Sequence, residues 1–334
     1  MTNFYIIIFF IILNLIFLIF FKKIKLFHKI IDKPDNIRKF HTNPTPLAGG
    51  IILIINIFLY FALYLINENI LSHEVIFKDS FEFKIFIISC FLFFFIGAFD
   101  DMYNLRPSIK FFLLSLLTLM VLYFDSNLRI EEIRLSFLDK NINSLDYSII
   151  FTLFCFVVFI NSFNMFDGIN LQASIYSIIL ITTFLIYLKF SLFLKILLIF
   201  IICFKYLNFR NKSFLGDSGS LLISFIISFV FIRIYNENII SFSDEIFIYM
   251  MIPGIDMVRL FFERILTSKS PFSDDRKHIH HLLLNKFSYL KTIIIITLLI
   301  LIPILLNTFS LNKILIILLA IIGYSILLIN VKKN

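Results

Sequence analysis

Cysteine is scarce: Cys90, Cys155 and Cys203 are the only three, each inside an apolar run and none in a CxxC or CxxH spacing. Neither a disulfide framework nor a zinc site is therefore expected. Charge is scarce as well, at 16% of the residues, where soluble domains carry about 25%. No basic n-region precedes the first apolar run at Phe4 and no small-residue cleavage site follows it. That run is expected to be retained as a span. No soluble domain, linker or internal repeat interrupts the chain, which is expected to form one membrane-embedded domain over residues 1–334. What is abundant is apolar surface: 60% hydrophobic residues and 46 Phe, with a mean hydropathy of +0.97. This is the composition of an integral membrane protein.

A helix crosses the hydrocarbon core in about 20 residues. On that ruler spans are predicted near residues 4–21, 47–66, 84–100, 109–124, 148–164, 171–188, 190–205, 217–234, 245–262, 292–308 and 313–330. The fold expected is an all-α polytopic bundle of about eleven transmembrane helices, or ten if the short "LKFSLFLK" between two of them does not turn the chain. With the N-terminus outside and the C-terminus in the cytoplasm, the cytoplasmic segments hold 21 of the 30 Lys and Arg. The positive-inside rule selects that orientation.

The same assignment gathers five unusual polar clusters on one side. "RKFHTNPTPLAGG" contains His41 and ends in a Gly pair that permits close backbone approach; a proline-punctuated basic loop reads equally well. "FDDMYNLRPSIK" places Asp100 and Asp101 at a span end, with Asn104 one turn on and Lys110 beyond. Carboxylates with an amide suit a hard cation such as Mg²⁺, although a solvated acidic loop has the same composition. "NSFNMFDGIN" sets Asn161, Asn164, Asp167 and Asn170 at every third residue at the end of an apolar span. Polar groups there are costly unless they meet partners or water. "SFLGDSGS" offers free N–H groups and a positive dipole end to phosphate, with Asp217 as a metal ligand and Phe214 as a stacking face. A plain N-cap uses the same residues. "SKSPFSDDRKHIHHLLL" packs His278, His280 and His281 beside Arg276. Its HxHH spacing lacks the pattern of a zinc helix, which favours an anion as its ligand.

Together the clusters describe a magnesium-dependent, phosphate-handling site at the cytoplasmic mouth of a bundle. Two polyanions meeting at about 5 Å repel by roughly 3 kcal/mol per charge pair at an effective dielectric of about 20. Neutralisation and positioning therefore dominate phosphoryl transfer. A phosphate monoester is already largely ionised at neutral pH and needs little help from a base.

Taken in order along the chain, these motifs resemble the polyprenyl-phosphate N-acetylhexosamine-1-phosphate transferases. The resemblance implies transfer of a sugar 1-phosphate from a UDP-sugar to undecaprenyl phosphate, releasing UMP, as the first step of a lipid-linked surface glycan. It implies Asn164 and Asp217 as ligands of Mg²⁺, or Mn²⁺ in its place, and Asp100, Asp101 and Asp167 as catalytic, with Asp100 a candidate base. Asn104 and Lys110 would approach the pyrophosphate. Asp167 and Asn170 would face the nucleotide-sugar, Phe214 the uracil, and His278, His280 and His281 the pyrophosphate or sugar, with His41, Asn161 and Arg276 also on substrate.

The expected partners are a UDP-N-acetylhexosamine, undecaprenyl phosphate and the bilayer, with no nucleic acid and with a homodimer allowed. The location implied is the bacterial inner membrane. "DGINLQ" departs from the DGxDG of many relatives, making Asn170 neutral and placing Leu171 where a glycine stands. "HIHH" and "DDMYNL" look closer to the N-acetylglucosamine branch than to the phospho-N-acetylmuramoyl-pentapeptide branch. An ion-coupled transporter, the rival class, would favour midplane charges and repeat symmetry, and neither is visible.

Overall fold

The computed structural model describes residues 2–34, 43–68, 70, 74–268, 270, 276–309 and 311–332. Among these are twelve α-helices: α1 (Thr2–Ile19), α2 (Gly49–Ile66), α3 (Ser80–Tyr103), α4 (Pro107–Phe124), α5 (Ser148–Phe166), α6 (Gln172–Tyr187), α7 (Leu192–Phe209), α8 (Gly216–Asn236), α9 (Ser243–Leu266), α10 (Ile279–Lys286), α11 (Tyr289–Thr308) and α12 (Lys313–Lys332). Eleven coincide with the predicted spans, and no end departs by more than four residues. The extra helix, α10, is eight residues long and carries the histidine segment. Eight of the helices are long and apolar enough to cross a membrane, and α1 and α6 are shorter apolar helices. The chain is a multi-pass helical membrane protein. Two small antiparallel pairings complete it: β1 (Ile31–Asp32) with β2 (Thr45–Pro46), and β3 (Glu132–Ile133) with β4 (Ile142–Asn143).

Local chemistry sets the helix ends. Asp79 caps α3 by accepting from the N–H groups of Phe81 and Glu82, both at 2.8 Å, which satisfies two donors of the first turn. Asn104 ends α3 in the left-handed region at φ 50° and returns its N–H to Asp100 O at 2.8 Å, a common way to close a helix. Pro107 stands in the first turn of α4, where a missing N–H costs nothing.

The bundle is organised around α8, whose apolar window is wholly enclosed, whereas only 17% of that of α12 is covered. A Cβ on Gly97 of α3 would stand 2.4 Å from Asp217 O and Ser218 Cα, and one on Gly50 of α2 would stand 2.6 Å from Gly219 N. Three helices thus meet backbone to backbone at the start of α8. Gly49 and Gly50 also donate to the carbonyls of Phe214 and Leu215, each at 3.1 Å. The close approach expected of the Gly pair is what sets α2 against the segment leading into α8.

At the far end of α8, Arg233 is fully buried. Its guanidinium meets Asp125 at 2.6 Å and Glu82 at 3.2 Å, clasping α3 and the chain after α4 to α8.

Candidate active site

The helix ends that carry the predicted clusters come together at one end of the bundle, around an open cavity of about 870 Å³. Asp100, Asp101, Asn104, Asn164, Asp167, Asn170, Phe214, Asp217 and His281 line it. The predicted residues from α3, α5, α8 and the histidine segment therefore share one pocket.

Three of these residues form a charge cluster with Lys110, which does not itself line the cavity. The Lys110 ammonium lies 2.6 Å from Asp100, 3.1 Å from Asp217 and 3.0 Å from Asn164 Oδ1. The Asn164 amide in turn donates to Asp217 and, at 2.7 Å, to Ser220 Oγ. Residues 100 and 101 are consecutive on a helix, so their side chains point in different directions. Asp100 turns to Lys110, while Asp101 turns to α8 and accepts the N–H groups of Asp217 at 2.7 Å and Ser218 at 3.0 Å. The dipole end foreseen as a phosphate seat is thus capped from within the protein by Asp101. Gly216, at φ 74°, lets the Asp101 carboxylate sit there, since a Cβ would come within 2.7 Å of it.

Asp167 follows the last turn of α5. Burial, with Asp217 and Asp101 nearby, holds its carboxyl well above the ordinary carboxylate range, because each of these disfavours the charged form. Asp100 and Asp217 share a single lysine, which leaves room for further positive charge. The donors Asp100, Asp217 and Asn164 are oxygen atoms suited to a hard cation, and they fit Mg²⁺. Among the described residues no three His, Cys, Asp or Glu side chains close into a complete metal cage. Magnesium is commonly held by only one or two carboxylates together with substrate phosphates.

Asn170 is held in an amide cluster. Its side chain donates to Asn211 Oδ1 and accepts from Asn208 Nδ2 at 3.3 Å, and its carbonyl accepts the Tyr289 hydroxyl at 2.7 Å. Leu171 adopts φ 69°, a conformation that favours glycine. Asn208 Oδ1 secures that turn by accepting the Leu171 N–H at 2.6 Å. Asn208, Asn211 and Tyr289 also line the pocket. Sequence patterning does not single them out; the only signal for Asn208 and Asn211 is the polar "LNFRNKS" before the Gly–Asp–Ser turn.

Four predicted substrate residues stand elsewhere. Asn161 folds its amide back onto Val157 O at 2.8 Å and does not line the cavity. The reason is that three residues fall about 60° short of a helical turn, which carries Asn161 off the face of Asn164. Arg276 is exposed and off the cavity. His278 and His280 are buried behind His281 rather than open to the cavity. His41 lies outside the described residues.

His280 packs against the turn after Asp167: a Cβ on Gly168 would sit 2.0 Å from its Nε2. Burial and the neighbouring His281 and His278 keep its pKa well below the usual histidine value, since all three oppose the imidazolium. An unfolded histidine titrates near 6.5. Below about that pH the unfolded chain binds the extra proton, and this histidine's share of stability is lost. Thermal unfolding of the solubilised protein should show wild type losing more stability than His280→Asn as pH falls from 7 to 5.5. Equal losses in both would contradict a buried neutral imidazole.

The profile of glycosyl transferase family 4 matches residues 83–235. The chain is also similar to three bacterial proteins, each named undecaprenyl-phosphate alpha-N-acetylglucosaminyl 1-phosphate transferase. It is 27% identical to that of Salmonella typhi over 85% of this chain and 77% of the relative. It is 25% identical to that of Yersinia pestis over 85% and 78%, and 27% identical to that of Thermotoga maritima over 80% and 77%. The matched stretch includes Asp100, Asp101, Lys110, Asn164, Asp167 and Asp217, the whole of the central charge cluster.

Proposed function

We propose, for a chain whose residues 83–235 match the profile of glycosyl transferase family 4, that it transfers N-acetylhexosamine 1-phosphate from a UDP-sugar to undecaprenyl phosphate. N-Acetylglucosamine is the sugar favoured, by the names of the relatives. The observation that carries this reading is the convergence of Asp100, Asn164 and Asp217, which line an open cavity, on the Lys110 ammonium beside them.

An oxygen of the ionised lipid phosphate attacks the sugar-bearing phosphorus, and the bond from that phosphorus to the bridging oxygen breaks to leave UMP. Lys110 offsets negative charge that two phosphorylated reactants bring together, and His281 offers an imidazole N–H to the phosphates. Asp217, Asn164 and Asp100 would hold Mg²⁺, which supplies further charge neutralisation on the pyrophosphate. Phe214, half-buried on the cavity wall, offers its ring to the uracil. The amides of Asn170, Asn208 and Asn211 offer neutral hydrogen-bonding groups to the sugar. Asp101 works through structure, fixing the start of α8 and with it Asp217. The distribution of Lys and Arg along the chain supports a cavity opening to the cytoplasm at the inner membrane. There the UDP-sugar is dissolved and the lipid phosphate lies alongside.

Purified protein incubated with UDP-N-acetylglucosamine, undecaprenyl phosphate and Mg²⁺ should release UMP, and EDTA should stop it. Intact donor under every condition, with other UDP-N-acetylhexosamines as well, would overturn the assignment.

A further inference from the structure

Asp256 lies in the middle of α9, inside a stretch that reads in the sequence as an apolar span. In the fold it is almost completely buried and collects four donors from three parts of the chain. His278 Nδ1 donates to it at 2.7 Å, the Ile279 N–H at 3.2 Å, the Tyr324 hydroxyl of α12 at 2.6 Å, and Arg259 at 2.8 Å. Arg259 also donates to Lys277 O and to the Tyr324 hydroxyl, at 2.8 and 2.9 Å. Both the side chain and the backbone entering α10 are therefore tied to one carboxylate.

What Asp256 holds is the wall of the substrate cavity. His278 is the N-cap residue of α10, and its carbonyl accepts the His281 N–H at 3.0 Å. The His278 and His280 rings lie parallel with centroids 5.4 Å apart, and the His281 ring follows at 4.2 Å from His280. His280 abuts Gly168 beside Asp167, while His281 reaches the cavity. Further ties join α12 to α9, Lys332 to Glu263 at 3.0 Å, and α10 to α12, Lys286 to Asn330 O at 2.9 Å.

We infer that Asp256 is a positioning residue of the transferase site, orienting His278 and the first turn of α10 so that the His281 imidazole stands on the cavity wall where the donor's phosphates bind. The inference rests on the transferase reading above. It assigns the histidine segment a division of labour: His281 meets substrate, His278 and His280 are its frame, and Asp256 with Tyr324 anchors the frame to α9 and α12. A carboxylate that receives four donors cannot be replaced by an amide without turning at least one donor away. Asp256→Asn therefore loosens the frame while keeping side-chain volume.

Asp256→Asn should raise the KM for the UDP-sugar about tenfold, the scale of losing a group that orients a functional histidine, with a smaller change in kcat. Acting through His281, it should add no more than about twofold to the loss already caused by His281→Ala, far below the product expected of independent sites. Tyr324→Phe removes one donor and leaves the ring; it should give a smaller KM rise that also vanishes in the His281→Ala background. This second variant carries the test if Asp256→Asn does not fold. Diethylpyrocarbonate labelling read by mass spectrometry should find His278 protected in wild type and labelled in the variants, at matched melting temperatures. Multiplicative losses in the cycle, or unchanged protection of His278, would overturn the inference while an active wild type keeps the transferase reading. A wild type inert toward every UDP-sugar would sink both.

Discussion

Asp217→Asn should lower kcat/KM for UMP release by about 10³-fold, roughly 4 kcal/mol of transition-state stabilisation, while the protein stays folded. The substitution keeps shape and removes one negative charge from the point where Lys110 and Asn164 meet. With that charge gone the cation seat loses its strongest oxygen donor, and Lys110 keeps only Asp100 as an anionic partner among the described residues. Stability should fall far less, because Lys110 keeps its ion pair with Asp100 and the lost charge no longer repels the other acids of the cavity. The measurement pairs steady-state UMP release with thermal unfolding of the same preparation. Activity within tenfold of wild type would show that Asp217 does not hold the cation, and an equally large loss in melting temperature would make the effect structural.

Arg233→Met is expected to cost about 3–5 kcal/mol of stability, the usual result of removing one partner from a buried ion pair. Arg233 stands at the opposite end of α8 from the cavity and is the only charged residue among the buried positions of that helix. Methionine fills most of the volume but strands Asp125 and Glu82, both buried, without that cation. The sign follows from that orphaning rather than from the worth of the pair itself. Thermal unfolding should show a large drop for Arg233→Met and partial recovery in Arg233→Met with Asp125→Leu. A single variant as stable as wild type would mean that the clasp contributes little.

The apolar runs made eleven helices legible, because a chain in lipid must satisfy its backbone within each span and length then fixes position. The polar span ends were legible for the same reason: Asp100, Asn164 and Asp217 are costly where they stand unless they share partners, and they do. Finer placement was not. Asp100 and Asp101 look like one pair in the chain, yet a helical step of about 100° sends them to different neighbours. Asn161 and Asn164 look equivalent, but only Asn164 reaches Asp217 and Ser220 of α8. Asp256 did not stand out in the chain: Arg259 is a local partner, but His278 and Tyr324, which tie it to the site, are 22 and 68 residues away. The histidines read as one ligand cluster because an HxHH string does not say which ring faces inward; an eight-residue helix docked against Gly168 decides that. Leu171 shows the limit from the other side. Its departure from the glycine of the resemblance was visible, but the Asn208 bond that secures its turn was not.

One consequence follows from the enclosure of α8. A helix with no face on the acyl chains has no reason to tilt, shorten or slide when the bilayer grows thicker or thinner. Such adjustments fall to the sparsely covered α4 and α12. The catalytic floor, borne on the insulated α8, therefore keeps its register while the periphery absorbs differences in lipid.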